Sequence, residues 1–265
     1  MKADIIDLNG HKVRTIELPK QFQEEIRLDL IKRSNLALRS HKRQPYGAFP
    51  LAGQQVSAKL SRRRRDYKTA YGKGISRSPR KTLWRRGTNF MWVGALAPNT
   101  VKGREAHPPK SQKNIYRKIN KKERRKAIRS AISASVNKEF FKDHKFNLPI
   151  IINSDFENIK KTKELQKFLI KIGLESLIDK VKEKKIRAGK GKARGRKYIK
   201  RKGPLIVVSD NCSLLKCSNL PGFDIVKVNS LNTELLAPGF NPRLIIWSEK
   251  AIEKLEKENL FYDKK

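Results

Sequence analysis

The spacing of apolar residues divides the first part of the chain into strand-like and helical stretches. Two short strand-like runs, Ala3–Leu8 and Lys12–Leu18, are separated by Asn9-Gly10, a dipeptide that favours a tight hairpin turn. Apolar residues then recur near helical spacing over Gln21–Arg39 and again over Lys118–Phe141. The sequence therefore predicts an N-terminal hairpin and two amphipathic helices.

After Pro149 the pattern changes to short runs rich in β-branched residues, which alternate with helical stretches. The strand-like runs are Ile150–Ile152, Leu205–Val208, Ile225–Val228 and Leu244–Trp247. The helical stretches are Thr162–Ile172, Leu174–Lys184 and Glu249–Asn259, with a short turn at Leu214–Cys217. Continuous apolar runs of this length are typical of parallel strands buried on both faces. We therefore predict an α/β fold, a three-layer sandwich with a mainly parallel sheet.

The stretch between the two amphipathic helices has no such pattern. Residues 40–112 contain 17 Lys/Arg, two Asp/Glu and only ten Val/Ile/Leu/Phe. So few large apolar side chains cannot offset the entropy lost when the segment becomes ordered. We expect a globular domain formed by residues 1–40 and 113–265, and a long extended basic arm at residues 41–112 that orders against an anionic partner.

The charge indicates what that partner is. The net charge is +38, and outside residues 40–112 there are still 46 Lys/Arg against 23 Asp/Glu. Nucleic acid is the polyanion favoured by such a balance, because Lys/Arg–phosphate contacts release condensed counterions. A membrane partner is disfavoured, since no long apolar run or basic amphipathic helix accompanies the charge. The acidic start of the chain does not resemble a signal peptide, so we expect a cytoplasmic protein.

The arm also carries seven aromatic residues among its bases, which favours RNA over duplex DNA. Unstacked RNA bases can stack on aromatic and guanidinium planes while the cationic groups contact phosphates. The predicted RNA-binding residues of the arm are Arg43, Tyr46, Gly47, Arg62, Arg63, Arg64, Arg65, Lys73, Arg77, Arg80, Trp84, Arg85, Arg86, Trp92, Lys102, Arg104 and His107.

A second basic tract, Lys182–Gly203, lies within the α/β half. Its glycines do not match a Walker loop or a dinucleotide fingerprint, because the spacing is GxGxxxG and follows a lysine-rich helix. We interpret the tract as a glycine-hinged contact with the RNA backbone. Its predicted binding residues are Arg187, Lys190, Lys192, Arg194, Arg196, Lys197, Lys200 and Arg201.

Catalytic chemistry is not indicated by any residue pattern. Asp155, Asp210 and Asp224 lie near the ends of predicted strands, where such acids are most often turn formers or caps. The two cysteines, Cys212 and Cys217, do not have the spacing of a zinc site. We therefore expect no cofactor and no dedicated metal site, although Mg²⁺ can accompany bound RNA.

Two alternative functions remain open from the residues alone. An RNA-modifying enzyme of the methyltransferase type would combine an α/β core with a basic insertion, but it needs a glycine-rich loop after its first parallel strand. Here Asn153–Asn158 follows that strand and contains no glycine. A DNA-compacting protein would be small and rich in repeated basic motifs.

Specific strings along almost the whole chain resemble the archaeal and eukaryotic branch of the large-subunit ribosomal protein family L-four. The order of the motifs is the same as in the family, and the short length resembles its archaeal members. The motifs are Gln44–Gly47, Pro50–Gly53, Lys102–Lys110, Asn120–Arg124, Gly189–Lys192, Arg194–Tyr198, Gly203–Val208, Leu235–Gly239 and Arg243–Trp247.

The resemblance implies a structural protein of the large ribosomal subunit that supports assembly and binds rRNA and neighbouring ribosomal proteins. In the family the tip of the arm, here Ser57–Pro79, lines the narrow part of the nascent-peptide exit tunnel. The expected partners are thus rRNA, ribosomal proteins near the tunnel and, transiently, the nascent peptide; no homo-oligomer is expected. The tip departs from the family pattern, since Ser57-Ala58-Lys59 leads into four arginines. Candidates for facing the tunnel are Arg64, Tyr67, Tyr71 and Lys73.

Overall fold

The computed structural model describes residues 1–141 and 147–262. It divides the chain into two units, one formed by Met1–Lys42 and Tyr116–Lys265, the other by Arg43–Ile115. The strands are β1 (Lys2–Ile6), β2 (Lys12–Glu17), β3 (Arg80–Arg86), β4 (Asn89–Gly94), β5 (Ile150–Ile152), β6 (Lys185–Ile186), β7 (Tyr198–Ile199), β8 (Leu205–Val208), β9 (Asp224–Lys227) and β10 (Ile245–Ser248). The α-helices are α1 (Leu28–His41), α2 (Lys121–Ala134), α3 (Thr162–Lys171), α4 (Glu175–Lys182), α5 (Thr233–Leu236) and α6 (Glu249–Lys257).

A six-stranded sheet organises the first unit, in the order β2-β1-β5-β10-β8-β9. The N-terminal hairpin supplies the antiparallel edge pair β1/β2, and every other pairing in the sheet is parallel. The central strands β5, β8 and β10 are buried along their whole length. The predicted hairpin and the mainly parallel sheet are both confirmed.

Alternate residues of the central strands enter two separate hydrophobic cores, one on each face of the sheet. Ile151, Val207 and Trp247 join the core that includes residues of α1, α2 and α6. Their neighbours Ile152, Ile206 and Ile246 join the core that includes residues of α3 and α4. Because successive side chains of a strand point to opposite faces, helices cover both sides of the sheet, which gives the predicted three layers.

The first helix begins later than its apolar spacing predicts, at Leu28 instead of Gln21. Before it, Lys20–Gln23 forms a 3₁₀ turn whose Phe22 packs edge-on against Trp247, with the ring centroids 5.2 Å apart. The backbone N–H of Arg27 donates to Ser130 Oγ on α2 at 2.6 Å. These contacts with distant residues hold the segment before Leu28 outside the helix.

The second helix is shorter than predicted, because α2 spans Lys121–Ala134 and a separate 3₁₀ turn follows at Lys138–Phe141. Ser135 Oγ donates back to the carbonyl of Ile132, and Asn137 Oδ1 accepts the N–H of Glu139. Short polar side chains that bond to nearby backbone in this way favour helix ends and turns.

The division into units lies close to the predicted domain boundaries at residues 41 and 112. His41 ends α1, and its ring stacks on that of Tyr116, with the centroids 5.2 Å apart and 16° between the ring planes. Both residues belong to the first unit.

Candidate nucleic-acid interface

The unit Arg43–Ile115 contains a β-hairpin that the sequence analysis did not predict. Strands β3 and β4 pair antiparallel around a turn at Gly87, which has a φ of 56°. Five predicted binding residues lie on this hairpin: Arg80, Trp84, Arg85, Arg86 and Trp92. Trp84 is 58% exposed, whereas Trp92 is half-buried and stacks on Phe90 with the centroids 4.9 Å apart.

Cationic side chains lie over the aromatic rings of this unit. Lys73 Nζ lies 5.6 Å from the ring centroid of Phe90 and 5.7 Å from that of Trp92. The guanidinium of Arg80 also lies 5.7 Å from the Trp92 centroid. Such cation–π contacts favour particular orientations of the Lys and Arg side chains in a segment that has few aliphatic side chains.

Three further contacts of this kind join predicted residues of the unit. The guanidinium carbon of Arg43 lies 5.2 Å from the centroid of Tyr46. Arg85 lies over Tyr67, with its guanidinium carbon 4.8 Å from the centroid, and it also donates to the Tyr67 hydroxyl. Arg64 lies 4.9 Å from the centroid of Tyr71. Most bases of the unit are nonetheless solvent-exposed, so their N–H groups are accessible to an anionic partner.

The four candidates for facing the tunnel fall into two groups. Arg64 and Tyr71 contact each other, while Tyr67 and Lys73 both contact the ring of Phe90. The Arg-rich turn that contains Arg64 is held by the Thr69 hydroxyl, which donates to the carbonyl of Arg63 at 2.6 Å. All of Arg62–Arg65 is exposed.

The two ends of this unit lie against each other. Ala48 N–H donates to the carbonyl of Pro109 at 2.9 Å. A β-carbon at Gly47 would meet the backbone nitrogen of Ser111 at 2.6 Å, so the close approach of the two chain segments requires glycine at residue 47. The predicted residues Tyr46 and His107 line one open cleft of about 670 Å³ here, while Lys102 and Arg104 lie in the preceding turn.

The second basic tract forms another hairpin that was not predicted, between β6 and β7. Arg187 N–H donates to the carbonyl of Lys197 at 2.8 Å, and its Nε donates to the carbonyl of Arg196 at 3.1 Å. Gly189 and Gly195 have φ values of 81° and 76° and form the turns of the connecting loop. Most of the tract is exposed, and its sequence from Lys184 to Gly203 contains no acid.

All eight predicted residues of that tract lie on this hairpin, its loop or the segment that follows it. Lys184 and Lys197 also flank the ring of Tyr198, with Nζ 5.8 and 5.5 Å from the centroid. Tyr198 was not among the predicted binding residues, although its position among Lys and Arg residues in the sequence could have indicated it. Phe90 was likewise missed, as was Phe240, which lies within 6 Å of Lys32 and Arg39.

The acids near the ends of the strands are engaged in structural contacts. Asp224 accepts hydrogen bonds from Lys202 and Arg243, and Asp210 pairs with Lys254 at 2.5 Å. Burial tends to raise the pKa of Asp224, but the hydrogen bonds from these two cations outweigh it, and the pKa lies below its usual value. Asp155 accepts a long hydrogen bond of 3.4 Å from Asn153.

A buried carboxylate that the sequence analysis missed lies where three central strands end. Glu157 Oε1 accepts the N–H of Ser209 at 2.8 Å and the hydroxyl of Ser248 at 2.6 Å, and Oε2 accepts the hydroxyl of Ser209 at 2.8 Å. Ser248 Oγ in turn accepts the N–H of Ala251 and caps α6. Glu157 therefore ties the segment after β5 to the ends of β8 and β10.

The described part of the chain contains no cluster of three His, Cys, Asp or Glu side chains arranged to hold a metal ion. Both cysteines have free thiols, and burial raises the pKa of each. None of the helices within residues 1–141 and 147–262 is long and apolar enough to cross a membrane.

Comparison with known proteins shows similarity along almost the whole chain. A model of the ribosomal protein L4/L1 family matches residues 16–258. The large ribosomal subunit protein uL4 of Nanoarchaeum equitans is 52% identical over 268 residues, covering 99% of this chain and 100% of that protein. Proteins of the same name are 43% identical in Archaeoglobus fulgidus and 44% identical in Methanocaldococcus jannaschii, each with at least 96% of this chain and 98% of the relative covered.

Proposed function

The chain belongs to the ribosomal protein L4/L1 family, and we propose that it binds large-subunit rRNA through two separate basic surfaces. The family is structural and not enzymatic, so the protein is a constituent of the large ribosomal subunit and the alternative of an RNA-modifying enzyme is not supported. Its partners are accordingly rRNA and other ribosomal proteins. The predicted resemblance, including the archaeal type, is confirmed.

The first of the proposed surfaces is the unit Arg43–Ile115, and the second is the β6–β7 hairpin with its loop. The observation that carries the proposal is that exposed bases in both are interleaved with aromatic rings while acids are nearly absent. Lys and Arg side chains supply contacts with phosphates, and aromatic side chains supply faces on which unpaired nucleobases can stack.

The two surfaces have different roles in the proposal. The β6–β7 loop carries Arg187, Lys190, Lys192, Arg194, Arg196 and Lys197 within a few residues of a fixed turn, so it suits docking on the phosphate backbone. The longer unit would insert as the RNA folds around it and thereby support subunit assembly. Magnesium ions, where present, would belong to the rRNA.

We further propose that the tip Ser57–Pro79 lines part of the nascent-peptide exit tunnel. The proposal rests on the family resemblance together with the exposure of Arg64, Tyr67, Tyr71 and Lys73. The nascent peptide would be a transient partner of these side chains. The protein would act in the cytoplasm, as part of the ribosome and without forming homo-oligomers.

Salt dependence of rRNA binding provides the direct test. If about ten phosphates are neutralised, the logarithm of the affinity should fall with the logarithm of the salt concentration with a slope of roughly −7 to −9. Crosslinking followed by sequencing should place the contacts within large-subunit rRNA. Binding that is insensitive to salt, or crosslinks scattered over genomic DNA, would contradict the proposal.

A further inference from the structure

The two faces of the β3–β4 hairpin differ in how far their side chains are already engaged. Residues that are opposite each other in the pairing share a face of the hairpin, so Trp92 shares one face with its partner Thr82. Phe90 and Arg85 lie on this same face, beside Tyr67 and Lys73. We call it the closed face, because its aromatic rings contact one another and nearby cations.

The opposite face is exposed and apolar. Trp84 is opposite Met91, and Lys81 is opposite Val93, so these four side chains share a face. Trp84, Met91 and Val93 are 58%, 62% and 48% exposed. We call this the open face, since it presents a tryptophan beside two aliphatic side chains to solvent.

A shift in the strand pairing places Trp84 on the open face. Between Thr82 and Trp84 the register moves by one residue, which makes Leu83 the extra residue of a bulge. Without the bulge, Trp84 would be opposite Phe90 on the closed face. Bulges are a recurrent way of redirecting a side chain, and here the bulge directs a large aromatic ring into solvent.

The charge around the open face indicates what covers it. Lys81 and Arg86 lie on the open face itself, Arg80 and Arg85 lie beside them on β3, and the sequence contains no acid between Asp66 and Glu105. An apolar protein partner would have to pack beside this charge without an acidic residue of the hairpin to balance it. A polyanion with flat apolar groups matches both the ring and its cationic surroundings.

We propose that the open face docks an unstacked nucleobase of large-subunit rRNA, with the indole of Trp84 as the stacking platform. Met91 and Val93 would pack against the edge of the base or its ribose, and Arg86 would contact a neighbouring phosphate. This proposal rests on the proposed function and names one point of contact within it.

The test measures the affinity of the full chain for deproteinised large-subunit rRNA over a range of salt concentrations. Trp84→Ala should weaken binding by about 5- to 150-fold, the effect of removing one base–aromatic stack. Trp84→Phe should retain most of the affinity, because phenylalanine keeps a flat ring. Leu83→Ala is the matched control, since it removes a neighbouring side chain of similar exposure without an aromatic face, and less than twofold change is expected.

Salt dependence separates stacking from charge. Trp84→Ala should leave the slope of log affinity against log salt unchanged, whereas Arg86→Gln should make it shallower by about one. Circular dichroism of each variant must match the unaltered protein. If the alanine variant fails to fold, Trp84→Leu, which keeps an apolar side chain but no flat ring, should show the same loss of affinity.

The outcomes distinguish the two proposals. If the unaltered chain binds rRNA with the steep salt dependence but Trp84→Ala binds within twofold of it, this inference is wrong and the proposed function stands. If Trp84→Ala instead weakens only the binding of purified large-subunit ribosomal proteins, the open face is a protein contact and the inference is also wrong. If the unaltered chain shows no salt-dependent rRNA binding, the proposed function itself fails.

Discussion

Replacement of Arg243 should be among the most destabilising single changes in the globular unit. Its side chain is only 4% exposed, and NH1 donates to Asp224 Oδ2 at 2.7 Å. NH2 donates to the carbonyls of Pro204 at 3.0 Å and Gly222 at 3.1 Å, and Nε donates to the carbonyl of Gly203. The guanidinium thus joins the segment before β10 to the segments before β8 and β9.

The expected magnitude follows from what Arg243→Ala would leave behind. Removing one partner of a buried ion pair costs about 3–5 kcal/mol, because the other groups stay buried without their donor. Asp224 would keep Lys202 as a partner, so we expect the lower half of that range, about 3–4 kcal/mol in the free energy of unfolding. Arg243→Lys should cost about 2 kcal/mol, since an ammonium cannot reach acceptors spread over a planar fork.

Urea unfolding followed by circular dichroism measures this free energy. The matched control is Arg33→Ala, which breaks an exposed pair with Glu123 on the helical surface and should change stability by less than about 1 kcal/mol. Equal effects of the two alanine variants would refute the argument that burial makes Arg243 important.

The same pair predicts a dependence on pH. The pKa of Asp224 is lower in the folded protein than in the unfolded chain, so the contribution of the pair is complete above about pH 4. It is lost as the pH falls through the folded pKa. The stability difference between the unaltered protein and Asp224→Asn should therefore be constant near neutral pH and shrink below about pH 4; a difference that grows in acid would show the opposite shift.

Two further changes test the rest of the architecture. Glu157→Ala should lower the free energy of unfolding by about 2–4 kcal/mol in urea unfolding, because three donors lose a buried acceptor, whereas Glu157→Gln should cost about 1 kcal/mol. Deleting Ser57–Pro79 should change the stability of the globular unit by less than about 0.5 kcal/mol but alter the passage of nascent peptides in a translation assay. If the globular unit failed to fold after this deletion, its core would have to include part of Ser57–Pro79, contrary to the fold described above.

The parts of the fold that were predictable from sequence are those in which one local pattern determines one element. Ile150–Ile152 and Leu205–Val208 are short, β-branched and wholly buried, and both runs are strands with the predicted bounds. Helix α1 shows the limit of such patterns, because contacts of Phe22 and Arg27 with distant residues make the helix begin later than the periodic stretch does. Helix starts depend on such tertiary contacts, which periodicity does not contain.

The hairpins of the basic segments were missed for two different physical reasons. In β3 the bulge at Leu83 adds one residue to the strand, so the large apolar residues Leu83 and Trp84 are adjacent and the alternation typical of a strand is lost. Strands β6 and β7 have two residues each, too few for any alternation to be visible. Arg243 and Glu157 were missed because a buried charge depends on partners that lie far away in sequence.

The aromatic residues of Arg43–Ile115 bear on how a segment so poor in aliphatic side chains holds its bases. Each exposed cation–π contact contributes about 0.5–1 kcal/mol, while fixing the backbone of a single residue costs about 1–2 kcal/mol. The contacts of Lys73 and Arg80 with Trp92 can therefore bias the directions of these side chains but cannot order the whole segment. In the proposed function, the stabilisation that remains comes from a bound partner. Because basic side chains such as Arg62–Arg65 are exposed and acidic side chains are almost absent, that partner must carry negative charge. The aromatic rings that no basic side chain covers, Trp84 above all, are the places where the partner can also stack.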